Sequence, residues 1–162
     1  MNYFELFDLP VAPRIDKTLL AEKYFGLQKQ SHPDFFTQAT EAEQEGSLQQ
    51  SAGINKAFGI FQSDDKTIEY FLQINGAIVP DEKYTLPPDF LMEMMELNET
   101  LNEKDGVTIA EEMANIEKPL LEEVEPILSR PAGNYSPAEM EQLKAYYYKK
   151  KYLRRILDRL GD

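Results

Sequence analysis

Three adjacent residues, His32-Pro33-Asp34, carry the side chains best placed to do chemistry. An imidazole two positions from a carboxylate could move a proton, hold a metal or meet a cation. Acid–base catalysis calls for groups whose pKa values are tuned against each other. His32 is the only histidine, cysteine is absent, and Asp34 is the one carboxylate close by in sequence. The missing cysteines also remove disulfides and thiolate metal ligands, and a single histidine is too few for a dedicated metal centre. Recognition is the chemistry that remains. Pro33 cannot extend a helix and drives the residue before it out of helical geometry. Asp34 then falls on a tight loop, where its side chain can bond nearby backbone. The tripeptide reads as two polar groups at the exposed tip of a helical hairpin, with no catalysis, metal or cofactor expected.

Helical spacing dominates the flanking sequence. Tyr3-Phe4-Glu5-Leu6-Phe7 predicts a short aromatic helix stopped by Pro10 and Pro13. Asp16 suits the N-cap of the next helix, which runs to Ser31 with Leu20, Tyr24 and Leu27 as its buried stripe. A long helix follows from Glu41 to Gln62, whose expected inner side is Leu48, Ala52 and Asn55 with Ile54, Phe58 and Phe61. Ser63-Asp64-Asp65 stops it and caps a last short helix, Lys66 to Ile74, ended by Asn75-Gly76.

Residues 76–87 read as a linker, with Gly76, Pro80 and Pro87 among charged residues. Pro88 opens a helix that reaches Asn102. Lys104-Asp105-Gly106 is a turn, and Thr108 with Glu111 has a capping-box pattern. The stretch that follows contains Pro119 and Pro126, each of which removes a backbone bond, so a kink or break is expected there. Ser136-Pro137 with Glu139 caps a final helix to Leu160.

The helix from Pro88 is apolar on two sides. Phe90, Met94, Leu97 and Leu101 cluster within about 60° of one another, which is stripe enough to pack a small bundle. Leu91, Met92 and Met95 point elsewhere, flanked by Glu96 and Glu99. Such a second stripe is expected to be exposed and to bind a partner protein, a task that methionine suits. In the last helix Tyr146-Tyr147-Tyr148 cannot all face one core, so at least one is partly exposed.

The net charge of −12 argues against general nucleic-acid binding. It is unevenly spread: residues 80–143 carry a net of −12, and residues 144–159 a net of +6. Two solvated faces pairing within a bundle would account for the split, and so would an acidic docking surface for a basic partner. No apolar run is long enough to span a membrane, no signal pattern opens the chain, and a cytoplasmic setting is expected.

Helix, His-Pro-Asp, helix resembles the J-domain, the module that switches on the ATPase of DnaK-type chaperones. Asn2-Tyr3-Phe4-Glu5-Leu6-Phe7-Asp8-Leu9-Pro10, Leu27-Gln28-Lys29-Gln30, Gln49-Gln50-Ser51-Ala52, Ile54-Asn55-Lys56-Ala57-Phe58 and Phe90-Leu91-Met92-Glu93 are similar to the HscB family, J-type co-chaperones of iron–sulfur cluster assembly. The resemblance implies an all-α, L-shaped protein: a J-domain over 1–75, a linker over 76–87 and a three-helix bundle over 88–162. It implies that His32, Pro33 and Asp34, steered by Lys23 and Lys29, meet a DnaK/HscA-type chaperone and trigger its ATP hydrolysis. It further implies that Leu91, Met92, Met95, Glu96, Glu99 and Tyr152 hold an IscU-like scaffold protein. Met95 and Tyr152 stand where leucine and phenylalanine are usual, and Phe35 stands where the family often has a basic residue. The alternative is a general J-protein that delivers unfolded clients.

Overall fold

A computed structural model of the chain describes residues 1–160, and those residues form helices and loops without a strand. They fall into two units, Met1–Ile74 and the chain from Asn75 onward. No helix among them is long and apolar enough to cross a membrane.

The first unit contains α1 (Tyr3–Leu6), α2 (Lys17–Ser31), a 3-10 turn (Pro33–Phe36), α3 (Glu41–Gln62) and α4 (Asp64–Ile74). α1 is fixed by a reciprocal cap: the Asn2 side chain accepts from the Glu5 N–H, and the Glu5 carboxylate accepts from the Asn2 N–H. This short helix delivers Phe4 and Phe7 to a fully buried aromatic core, with Phe61 ring centroids at 4.9 and 5.7 Å from theirs. Burying each ring is worth about 1.5–3 kcal/mol. As the sequence predicts, Asp16 caps α2, accepting from the N–H groups of Thr18 and Leu19. α2 and α3 are antiparallel: Ser47 Oγ donates to the Ser31 carbonyl at 2.7 Å, and further along Tyr24 Oη and Gln28 Nε2 both donate to Asn55 Oδ1. Tyr24 stacks on Phe58 at 3.9 Å.

The inner face of α3 is partly the expected one: Ile54 and Phe61 are buried and Phe58 is half-buried, but the rest of the line differs. Leu48 is 57% exposed, and Ala52 and Asn55 are exposed as well. The buried line is Ser47, Ser51, Ile54, Ala57 and Phe61. Near the turn the seam is made by two buried serines, Ser31 and Ser47. Burial of the Ser47 hydroxyl costs little because it is hydrogen-bonded.

The second unit contains α5 (Pro88–Thr100), a 3-10 turn (Leu101–Glu103), α6 (Gly106–Leu128) and α7 (Pro137–Leu160). One core cluster gathers Phe90, Met94, Leu97 and Leu101 from α5 and its turn, Met113 from α6, and Leu153 and Ile156 from α7. α6 begins earlier than Thr108, because Asp105 is its cap and accepts from the Thr108 N–H at 2.8 Å. Ser136 and Glu139 cap α7 reciprocally, as expected.

α6 does not break at its prolines; it is one helix of 23 residues. The physical reason is their placement. Pro119 and Pro126 are seven residues apart and both exposed, as are Asn115 and Glu122, whose carbonyls lose their helical donors. Water can reach those carbonyls, so the lost bonds are compensated without opening the helix.

Residues 76–87, expected as a linker, belong with the second unit. Ile78 is buried. The Glu82 carboxylate accepts from Lys144 Nζ at 2.6 Å and Tyr148 Oη at 2.8 Å, and Tyr84 stacks on Tyr148 at 4.4 Å. Those contacts hold Glu82 and Tyr84 on α7.

Candidate functional site

The first candidate site is the turn between α2 and α3. His32 is the C-cap of α2, with extended backbone (φ −63°, ψ 134°) enforced by the following proline, and its N–H still donates to the Gln28 carbonyl at 2.9 Å. Its Nδ1 accepts from the Asp34 N–H at 3.2 Å. An Asp34 carboxylate oxygen lies 3.5 Å from the same nitrogen. The Asp34 side chain is 85% exposed, which leaves a carboxylate aimed at solvent on a turn locked by Pro33. Phe35 is also exposed, and its ring lies edge-on to His32 at 6.2 Å.

The two lysines expected to serve this turn differ. Lys23 Nζ is 3.2 Å from an Asp8 carboxylate oxygen, so part of its field is spent locally. Lys29 is exposed in the last turn of α2. Six residues separate them, which puts them about 120° apart around the helix. They do not form one patch.

The second candidate site is the outer face of α5. Phe90, Met94 and Leu97 are buried in the core cluster, whereas Met92 and Met95 are 63% and 62% exposed. Leu91 is half-buried, and Glu96 and Glu99 are exposed. On α7, Tyr152 is half-buried with its ring edge-on to Phe90 at 6.2 Å, and Lys149 Nζ is 5.7 Å from the Phe90 ring. The start of α5 therefore abuts the middle of α7. Of the second apolar stripe expected from the sequence, Met92 and Met95 face solvent and Leu91 does so only in part.

The α7 tyrosines divide as their adjacency requires: Tyr146 is buried, and Tyr147 and Tyr148 are half-buried. Lys150 and Lys151 place ammonium groups within about 6 Å of these rings, a favourable cation–π distance. These contacts were missed by sequence reasoning, although the run Tyr146-Tyr147-Tyr148-Lys149-Lys150-Lys151 holds the signal: residues three and four apart meet on a helix.

Comparison with known proteins bears on both sites. A family model described as the HSCB C-terminal oligomerisation domain matches residues 86–161. A co-chaperone protein HscB homolog of Vibrio cholerae serotype O1 (strain M66-2) is 43% identical over 102 residues, covering 62% of this chain and 60% of that protein. The homolog of Vibrio vulnificus (strain YJ016) is 41% identical over 104 residues, covering 64% and 61%. The alignments thus span less than two thirds of these relatives. The crystal structure of the human co-chaperone protein HscB superposes with a TM-score of 0.81 at 26% identity, covering 99% of this chain and 81% of that one. The chaperone HscB of Vibrio cholerae gives 0.61 at 28%, covering 99% of each. These findings, with the all-helical architecture, lead to one conclusion: in sequence and in fold the chain is similar to HscB co-chaperones.

Proposed function

We propose that this protein is a J-type co-chaperone that docks an IscU-like iron–sulfur scaffold on α5 and stimulates the ATPase of a DnaK/HscA-type chaperone through His32-Pro33-Asp34. It acts in the cytoplasm and catalyses nothing itself. The observation that carries the reading is the exposure of Met92 and Met95 on a helix whose other face, Phe90, Met94 and Leu97, is buried. A bundle needs only the buried stripe, and adaptable thioethers suit a protein partner. Leu91, Glu96, Glu99 and Tyr152 complete the scaffold surface. Glu96 and Glu99 favour one defined basic partner over the broad apolar groove that unfolded clients require. At the other site the Asp34 carboxylate meets a cationic group on the chaperone, while Lys23 and Lys29 raise the rate of encounter.

Holding the scaffold and the chaperone on one chain raises the effective concentration of each for the other. ATP hydrolysis in the chaperone then locks it onto the scaffold and favours cluster assembly and transfer. The deciding experiment is steady-state ATPase of the chaperone with and without scaffold. Stimulation by this protein, enhanced by scaffold and reduced to the scaffold-independent level by Met92→Ala, is expected. Equal stimulation with and without scaffold would favour the general J-protein instead.

A further inference from the structure

Most of the positive charge of the second unit lies on α7. Lys144, Arg130 and Lys104 are each paired with a carboxylate, from Glu82, Glu139 and Glu112 respectively. Arg155 and Arg159 are exposed, and neither forms an ion pair with any described residue. The acidic stretch of the same unit does not cover them. They follow Tyr152 by three and seven residues, so they continue its stripe along α7.

Their position relative to α5 follows from two contacts. Phe90 at the start of α5 meets Lys149 and Tyr152, and the later α5 residues Met94, Leu97 and Leu101 share one core cluster with Leu153 and Ile156, which follow Lys149 on α7, and not with Leu143 or Tyr146, which precede it. The two helices therefore run in the same direction. Arg155 and Arg159 lie further along α7 than Tyr152, as Met95 and Glu99 lie further along α5 than Leu91. The apolar strip Leu91-Met95-Tyr152 consequently has carboxylates (Glu96, Glu99) on its α5 side and guanidinium groups (Arg155, Arg159) on its α7 side.

We infer that the scaffold surface is read in a fixed polarity: the bound partner presents an acidic segment to Arg155 and Arg159 of α7, opposite the basic groups it presents to Glu96 and Glu99. This rests on the proposed docking of a scaffold protein at α5. An apolar strip alone lets a partner bind in either direction; two rims of opposite sign reject the reversed one, since it sets like charges together. The planar guanidinium suits bidentate recognition of carboxylates.

The test is binding of full-length protein to the IscU-like scaffold, by calorimetry at low and high salt. The variants are Arg155→Gln/Arg159→Gln and Arg155→Glu/Arg159→Glu. Both residues are exposed, and the graded pair separates charge from folding. The expected result is weaker binding in the order wild type, Gln pair, Glu pair, with the Glu pair down about tenfold at low salt and the difference shrinking as salt rises. Equal affinity of all three would overturn the inference and leave scaffold docking intact. Absence of binding by wild type would overturn the docking reading itself, and this inference with it.

Discussion

Ser47 donates its hydroxyl to the carbonyl of Ser31 at 2.7 Å, and both residues are buried in the seam between α2 and α3. This one bond joins the helix that leads into the His32 turn to the helix that leads out of it. Ser47→Ala leaves the Ser31 carbonyl buried with one partner fewer. The expected loss is about 1–2 kcal/mol of stability, read as a lower urea midpoint. Ser47→Leu forces a larger side chain into the seam and should cost more. A leucine variant as stable as wild type would refute this account of the seam.

Asp34→Asn should change function without changing the fold. The carboxylate is 85% exposed, and the turn is held by Pro33 and by the Asp34 backbone N–H, which the asparagine keeps. Thermal stability is expected within about 0.5 kcal/mol of wild type, while stimulation of the chaperone ATPase falls to background. Full stimulation by this variant would remove the turn from the mechanism.

Neighbouring methionines should respond in opposite ways. Met94 is fully buried, and Met94→Ala should cost about 2–5 kcal/mol, the range for a truncated core side chain. Met92→Ala touches an exposed residue; its stability effect should stay within about 0.5 kcal/mol, and its effect should be seen in scaffold binding. Denaturation and calorimetry on the two variants together check the assignment of the faces.

The Glu82–Lys144 pair sets a pH dependence. Hydrogen bonds from Lys144 first, then Tyr148, hold the Glu82 carboxyl below the usual carboxylate range. The hydrogen bond to Glu82 likewise holds the Lys144 ammonium above its usual range. A depressed carboxyl contributes stability that is present above about pH 4.5 and is lost as pH falls through its folded value. A raised amine contributes stability that is present below about pH 10.4 and is lost as pH climbs through its folded value. Glu82→Gln should therefore lower the urea midpoint at neutral pH, and the gap from wild type should close in acid. A gap that persists undiminished at about pH 3 would show that the residue acts through packing, not charge.

Pro119→Ala and Pro126→Ala should stabilise α6. Each restores an N–H to an exposed carbonyl, Asn115 or Glu122, in a helix interior. Gains of about 1–3 kcal/mol each are expected, less whatever the proline contributed by restricting the unfolded chain. Thermal denaturation of the single variants measures this directly.

What the sequence made legible follows from how local each signal is. Caps at Asp16, Ser63 and Ser136 and the proline start of α5 depend on a few adjacent residues, and the structure has them where expected. The exposed stripe of Met92 and Met95 was legible because two apolar faces on one short helix exceed what a small bundle can bury. The inner line of α3 was legible only in part, since it includes Ser47 and Ser51, small polar residues whose burial depends on a partner helix sixteen residues back. The attachment of Glu82 and Tyr84 to α7 was also hidden, because Glu82 meets Lys144 across 62 residues. The prolines misled by their number; that both fall on the wet side of α6 is a tertiary fact.

That wet side restricts where other proteins can sit. Dry contact over the Pro119–Pro126 face would strand the carbonyls of Asn115 and Glu122 without donors, at about 1–3 kcal/mol apiece. The two prolines thus act as a standing veto on assembly through that surface, keeping a long and otherwise serviceable helix face out of any tight protein–protein contact. Association is steered by exclusion toward α5 and α7, whose backbone groups are satisfied within their own helices and can be desolvated without that penalty.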